Sequence, residues 1–174
     1  QLENKIDFAN KGDYEDIVVF KNDAYVLRSD GILFRVENYL TSPTVTEYAT
    51  FNDDSRNVEG LTLDKNYNRL LLAVKDEKHK EKAFKGIYAF DLVTKKITEL
   101  VQNGFSPKYS NTGHLLYIRD NTLKARTFDI STLTVGKEEI TLVSGIRMNP
   151  FWGNAQYSIS DEGTLAYIPG TNTA

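Results

Sequence analysis

Three polar turns set the frame of this chain: D-K-N-Y-N-R at 64–69, S-N-T-G-H at 110–114 and S-D-E-G-T at 160–164. Each separates two short apolar runs rich in Val, Ile, Leu, Tyr, Phe and Thr, the composition and length of strands. Such runs lie at 15–20, 24–28, 32–38 and 44–50, then at 58–64, 69–74, 86–92 and 96–101. A third set occupies 105–110, 114–119, 122–129 and 137–143, and two more runs follow at 155–160 and 164–168. Almost nowhere do apolar residues recur at the i, i+3, i+4, i+7 spacing of a helix. The chain is expected to be all-β with little helix.

The sets repeat. Aligning them on their turns superposes Glu15, Glu59, Lys108 and Gln156, spaced 44, 49 and 48 residues apart. Four antiparallel strands recurring every 40–50 residues is the signature of a β-propeller blade. The similar phrases D-A-Y-V-L-R-S-D-G-I-L-F-R-V-E-N-Y (23–39) and L-L-Y-I-R-D-N-T-L-K-A-R-T-F-D-I (115–130) then become second-to-third-strand hairpins. A β-sandwich with accidental internal similarity is the competing reading. The count comes to about three and a half blades, with N-K-I-D-F-A (4–9) read as one leading strand. Propellers hide their sheet edges by pairing a strand from one terminus into the blade begun at the other. Three and a half blades leave such a closure incomplete within one chain. A homo-oligomer, with a dimer favoured, is therefore expected, the strand near Ile6 and Phe8 pairing with the half-blade at 155–168 of a partner. A strained four-bladed monomer is the alternative.

The length of 174 residues allows one domain or a few small repeated units. A net charge of −3 gives no electrostatic reason to expect nucleic acid as a partner. No stretch of 18 apolar residues exists to span a bilayer as a helix. There are no cysteines, so disulfides and thiol chemistry are excluded. No leader is visible, although the chain opens on Gln1 rather than Met.

Residues 1–100 resemble the SdiA-regulated family, a bacterial group of six-bladed propellers. The resemblance is carried by K-G-D-Y-E-D-I-V-V (11–19), Y-V-L-R-S-D-G-I-L-F-R-V-E-N-Y-L (25–40), N-V-E-G-L-T-L-D-K-N-Y-N-R-L-L-L-A-V-K-D (57–76) and K-G-I-Y-A-F-D-L-V-T-K-K-I-T-E (85–99). Residues 104–170 resemble the TolB-like, WD40-like propeller repeats of bacteria instead, through the run from Phe105 to Ile146 and G-N-A-Q-Y-S-I-S-D-E-G-T-L-A-Y-I-P-G (153–170). The charge count changes at the same place: 18 acidic and 15 basic residues in 1–103, six of each in 104–174. The resemblances imply two SdiA-regulated-like blades with a leading strand in 1–103, and one and a half TolB-like blades in 104–174. An engineered chimera of propeller fragments, a natural recombinant and a piece of a longer protein all fit that division. A joint between foreign faces would leave voids, which cost roughly 24 cal/mol per Å³. Both families point to the bacterial cell envelope or periplasm.

Chemistry-bearing residues are few. Glu15 and Glu59, with Asp13 and Asp16 beside the first, fall on inner strands that would face a central channel. Propellers related to phytases and lactonases hold calcium with a comparable carboxylate ring, because Ca²⁺ takes six to eight oxygens. Lys108 and Gln156 complete the ring here, and a cation opposes the metal. The alternative role for these carboxylates is to accept hydrogen bonds from backbone N–H groups of the next blade. His79 sits in the charged run K-D-E-K-H-K-E-K-A-F-K (75–85), a solvated loop, and His114 flanks a turn. No G-x-S-x-G elbow supports a triad, and no H-E-x-x-H or cysteine spacing supports zinc. Phe151 and Trp152 could stack on a ligand, or seal one blade against another. The expected function is a non-catalytic scaffold or interaction module; the competitor is a calcium-dependent hydrolase-like propeller with its site near Glu15 and Glu59.

Overall fold

A computed structural model of the chain describes residues 5–51, 57–64, 68–75, 85–148, 155–160 and 162–170. Every regular element among them is a β-strand. Strands β1 (Tyr14–Phe20), β2 (Asp23–Arg28), β3 (Ile32–Glu37) and β4 (Thr44–Ala49) form one antiparallel sheet in chain order. Strands β5 (Asn57–Asp64), β6 (Arg69–Lys75), β7 (Lys85–Asp91) and β8 (Ile97–Gln102) form a second, also in chain order. The third sheet holds β9 (Phe105–Ser110), β10 (His114–Arg119) and β11 (Thr122–Asp129), with β12 (Thr134–Val135) and β13 (Ile140–Ser144) both along β11. A two-stranded sheet of β14 (Tyr157–Ile159) and β15 (Leu165–Tyr167) follows. These sheets are consistent with propeller-like blades. Among the described residues no helix is long and apolar enough to cross a membrane.

The turns are built as their residues require. S-N-T-G and S-D-E-G close identically: Gly113 N donates to Ser110 O at 2.9 Å and Gly163 N to Ser160 O at 3.0 Å. Both glycines have the positive φ that favours glycine, +79° and +89°. The β10–β11 hairpin turns on Asp120 and Asn121, both left-handed, which matches the twist of the flanking strands. The repeated phrase is indeed a second-to-third-strand hairpin, β2–β3 and β10–β11.

Cores lie between successive sheets, not within them. Alternation sends Tyr25 and Leu27 to one face of the first sheet, where they meet Leu70, Leu72, Val74 and Phe90 of the second. Leu71, Ile87 and Ala89, on the opposite face of the second sheet, meet Leu115, Tyr117 and Phe128 of the third. Leu116, Ile118 and Ala125 then meet Tyr157, Ile159 and Leu165. Near-continuous apolar strands such as L-L-L-A-V (70–74) follow directly, because both faces are covered.

Two expectations are corrected. The leading strand at 4–9 does not form in residues 5–9, which carry no regular structure. Phe8 serves as a side-chain cap instead, its ring edge-on to Tyr14 and Phe34 at 5.2 and 5.6 Å. The outer strand expected at 137–143 starts later, as β13 at Ile140, with the short β12 ahead of the expected span; just before β13 the carboxylate of Glu139 accepts from Tyr117 and Arg119.

Contacts flank the junction at 101–104: between the second and third sheets Ile87, Ala89, Leu115 and Tyr117 are fully buried. Gly104 sits so close to its neighbours that a Cβ there would lie 3.0 Å from Ile87 Cδ1 and 3.1 Å from Tyr117 Cδ2. Arg119 donates to the carbonyls of Gln102 and Asn103, at 2.7 and 3.3 Å. From the other side, Arg69 donates to the carbonyls of Ile130 and Ser131.

Candidate functional site

The inner strands carry bulges that shape a cleft. Glu15 is the extra residue between the pairs Tyr14–Arg28 and Asp16–Leu27, and Glu59 the extra one between Val58–Val74 and Gly60–Ala73. In β9 the irregularity falls at Ser106–Pro107, between Phe105–Ile118 and Lys108–Leu116, and Ser106 adopts a left-handed φ of +49°. Bulges re-aim side chains and bend the strand. A cleft of about 1360 Å³ runs past them, with Glu15, Asp16 and Glu59 in its wall together with Lys75, Lys108 and Arg119.

Each carboxylate there has a distinct task. Asp16 Oδ2 accepts from the backbone N–H of Leu61 at 2.9 Å, tying the first sheet to the second. The sheet-to-sheet hydrogen bond weighed for the glutamates is thus made by their neighbour. Glu59 Oε1 accepts from Asn57 Nδ2 at 2.7 Å and lies 3.9 Å from Lys75 Nζ. Burial first, then the Glu59 and Asp13 carboxylates, push Glu15 above its ordinary value, with Lys75 opposing. A carboxyl raised in the folded state supports folding while it is protonated, below its ordinary 4.5, and that support is lost as pH rises through the folded value. Glu15→Gln is therefore expected to melt higher than the parent at pH 7, with the difference gone at pH 4. Equal melting temperatures at pH 7 would show that Glu15 carries no such strain.

Register separates the four residues grouped by sequence. Glu15 and Glu59 each stand five positions before the end of their strand at the hairpin, Phe20 and Asp64. Lys108 stands only two before Ser110, the place held by Val18 and Thr62 in the first two sheets. It still lines the cleft, its Nζ 5.9 Å from the Tyr157 ring. Gln156 is exposed and outside the cleft wall, where Tyr157 stands with its hydroxyl donating to Ser106 O. Among the described residues no group of three or more His, Asp or Glu comes together in a metal-binding arrangement. His114 Nδ1 meets Thr112 Oγ1 at 3.1 Å within its turn. His79, Phe151 and Trp152 lie outside the described residues.

Sequence reading missed Glu139. Its carboxylate accepts from Tyr117 and from Arg119 Nη1 at 2.6 Å, and lies 3.6 Å from Lys124 and 3.9 Å from Arg126. Burial alone would raise this carboxyl, but the Tyr117 hydroxyl and the three cations hold it below the usual range. The Tyr117 hydroxyl is pushed up to about 12, by burial and by its bond to that carboxylate. The signal was present as three cations, Arg119, Lys124 and Arg126, around one hairpin with Glu139 the acidic residue returning to it. The arrangement braces the third sheet, and it places no nucleophile or acid–base pair at an open position. No family model matches this chain, and no curated protein matches it.

Proposed function

We infer that the chain is a non-catalytic β-propeller scaffold or interaction module, of about three and a half blades, that completes itself by self-association. The observation that carries this reading is uncovered surface. Among the described residues, apolar Ile17 and Val19 at one end of the series are 58% and 49% exposed, and Ile168 at the other end is 47% exposed. The portions 1–103 and 104–174 are read as fragments of two propeller families joined near 101–104, most simply an engineered chimera. Light scattering coupled to size exclusion tests the association, with a mass near twice 19.7 kDa expected.

The competing hydrolase-like reading draws on Glu15 and Glu59 lining one cleft. Calcium separates the two. A site at a hundredfold excess of metal over its Kd stabilises by about 2.7 kcal/mol, a shift easily seen in a melt. The scaffold reading expects no shift in melting temperature in millimolar calcium; a rise of several degrees, abolished by Glu59→Gln, would favour the hydrolase-like site.

A further inference from the structure

Counting along each second strand from its hairpin end reveals two kinds of face. In the second sheet Leu70 and Leu72, one and three places from Arg69, receive the first sheet. In the third sheet Leu115 and Tyr117, one and three places from His114, receive the second. The intervening positions, Tyr25 and Leu27, Leu71, then Leu116 and Ile118, pack forward onto the sheet that follows. Every contact therefore joins a forward face to a receiving face, and never two of a kind.

The two ends of the series are left over. In the first sheet the receiving face carries Ile17, Val19, Ala24, Val26, Phe34 and Val36, none of which belongs to a core between described sheets; Ala24, Val26, Phe34 and Val36 are buried all the same, so the open part of the face is Ile17 and Val19 on the innermost strand. Ile17 and Val19 are 58% and 49% exposed. Their register counterparts in the second sheet, Leu61 and Leu63, pack in the core against the first sheet. At the other end, Leu165 faces the third sheet, while Ala166 and Ile168 point away, Ile168 being 47% exposed. With Gln156 and Ser158 they line a shallow groove of about 350 Å³.

We propose that the Ala166–Ile168 face of one copy packs on the Ile17–Val19 face of a second copy, repeating between chains the contact made three times within one. This rests on the self-association reading and names its interface. The occupant is a second copy because the counterparts of Ile17 and Val19, Leu61 and Leu63, are covered within the chain by a forward face, and the Ala166–Ile168 face is a forward face left open among the described residues. Phe8 already covers Phe34, and Ala24 and Val26 are buried, which leaves Ile17 and Val19 of β1, where a two-stranded sheet reaches, for the partner. Two chains joined head to tail close by a twofold axis.

The chain has no cysteine, so thiol cross-linking has no background. Ile17→Cys and Ile168→Cys are made in separate chains and treated with a short bis-maleimide, alone and mixed. Leu27 and Leu61, the internal counterparts of Ile168 and Ile17, share one core, so the mixture is expected to shift from 19.7 kDa to twice that mass while neither variant alone does. Val19→Cys repeats the test should Ile17→Cys fold poorly. Linking of Ile17→Cys to itself would mean a face-to-face dimer and would overturn the proposal. A dimeric mass with no cross-link in any mixture overturns the interface but leaves association standing. A monomer at every concentration overturns both.

Discussion

Replacing Phe90 with alanine is expected to remove about 3–5 kcal/mol of stability, the range for deleting a fully enclosed aromatic side chain. The ring is wholly buried, on the face of β7 that receives the first sheet, among Tyr25, Leu27 and Leu70. Its cross-strand partner Leu70 and the next residue on that face, Leu72, are both fully buried, so the cavity has little room to collapse. A domain of ordinary stability holds about 5–15 kcal/mol in total, so the variant would be close to unfolding at growth temperature. Denaturant titration reads the loss directly. A cost below about 1 kcal/mol would mean that the first and second sheets are not packed as described.

Arg69→Ala is expected to be nearly as damaging, at about 2–4 kcal/mol, for an electrostatic reason. One guanidinium reaches across the junction to the carbonyls of Ile130 and Ser131 and lies 3.4 Å from Asp91 Oδ2 on its own sheet. Its side chain is only 14% exposed. Removing it leaves the Ile130 carbonyl and the Asp91 carboxylate, both partly buried, short of a donor, and a buried group left unsatisfied costs about 1–3 kcal/mol, more when charged. Lysine should not restore the loss, because an ammonium cannot span these acceptors with a planar fork. Were the two portions independent units, Arg69→Ala would leave the melt of residues 104–174 unchanged and split the transition in two. One cooperative transition is expected instead.

The strands were legible because their signals are local. Apolar runs and turn residues placed each strand from β1 to β11, within a residue or two of where it lies. Ser110–Gly113 and Ser160–Gly163 were recognisable as equivalent turns from their residues alone, since glycine at the fourth position meets the positive φ there. What failed depended on register. Lys108 was matched to Glu15 and Glu59 although it stands two places from its hairpin and they stand five, a difference of three positions that strand pairing shows and residue type does not. A repeat of another kind went unread. F-D-L-V-T at 90–94 and F-D-I-S-T at 128–132 are the same turn. Asp91 Oδ1 accepts from the N–H groups of Val93 and Thr94, and Asp129 Oδ1 from those of Ser131 and Thr132. That aspartate turn is a local signal. The cleft was half legible: its acidic wall follows from repeat position, whereas the part played by Glu139 depends on contacts with Tyr117 and Arg119, some twenty residues away, that no local signal marks.

Everything proposed about function turns on whether the exposed ends of the series are covered by another chain. Sedimentation equilibrium over a wide range of protein concentration measures this most directly. The expected result is a single species of twice 19.7 kDa that does not grow further as concentration rises, because a head-to-tail pair leaves no free end. Ile17→Asp should return it to the monomer without lowering its melting temperature below that of the parent at low concentration. A parent chain that sediments at 19.7 kDa across the whole range would contradict the account.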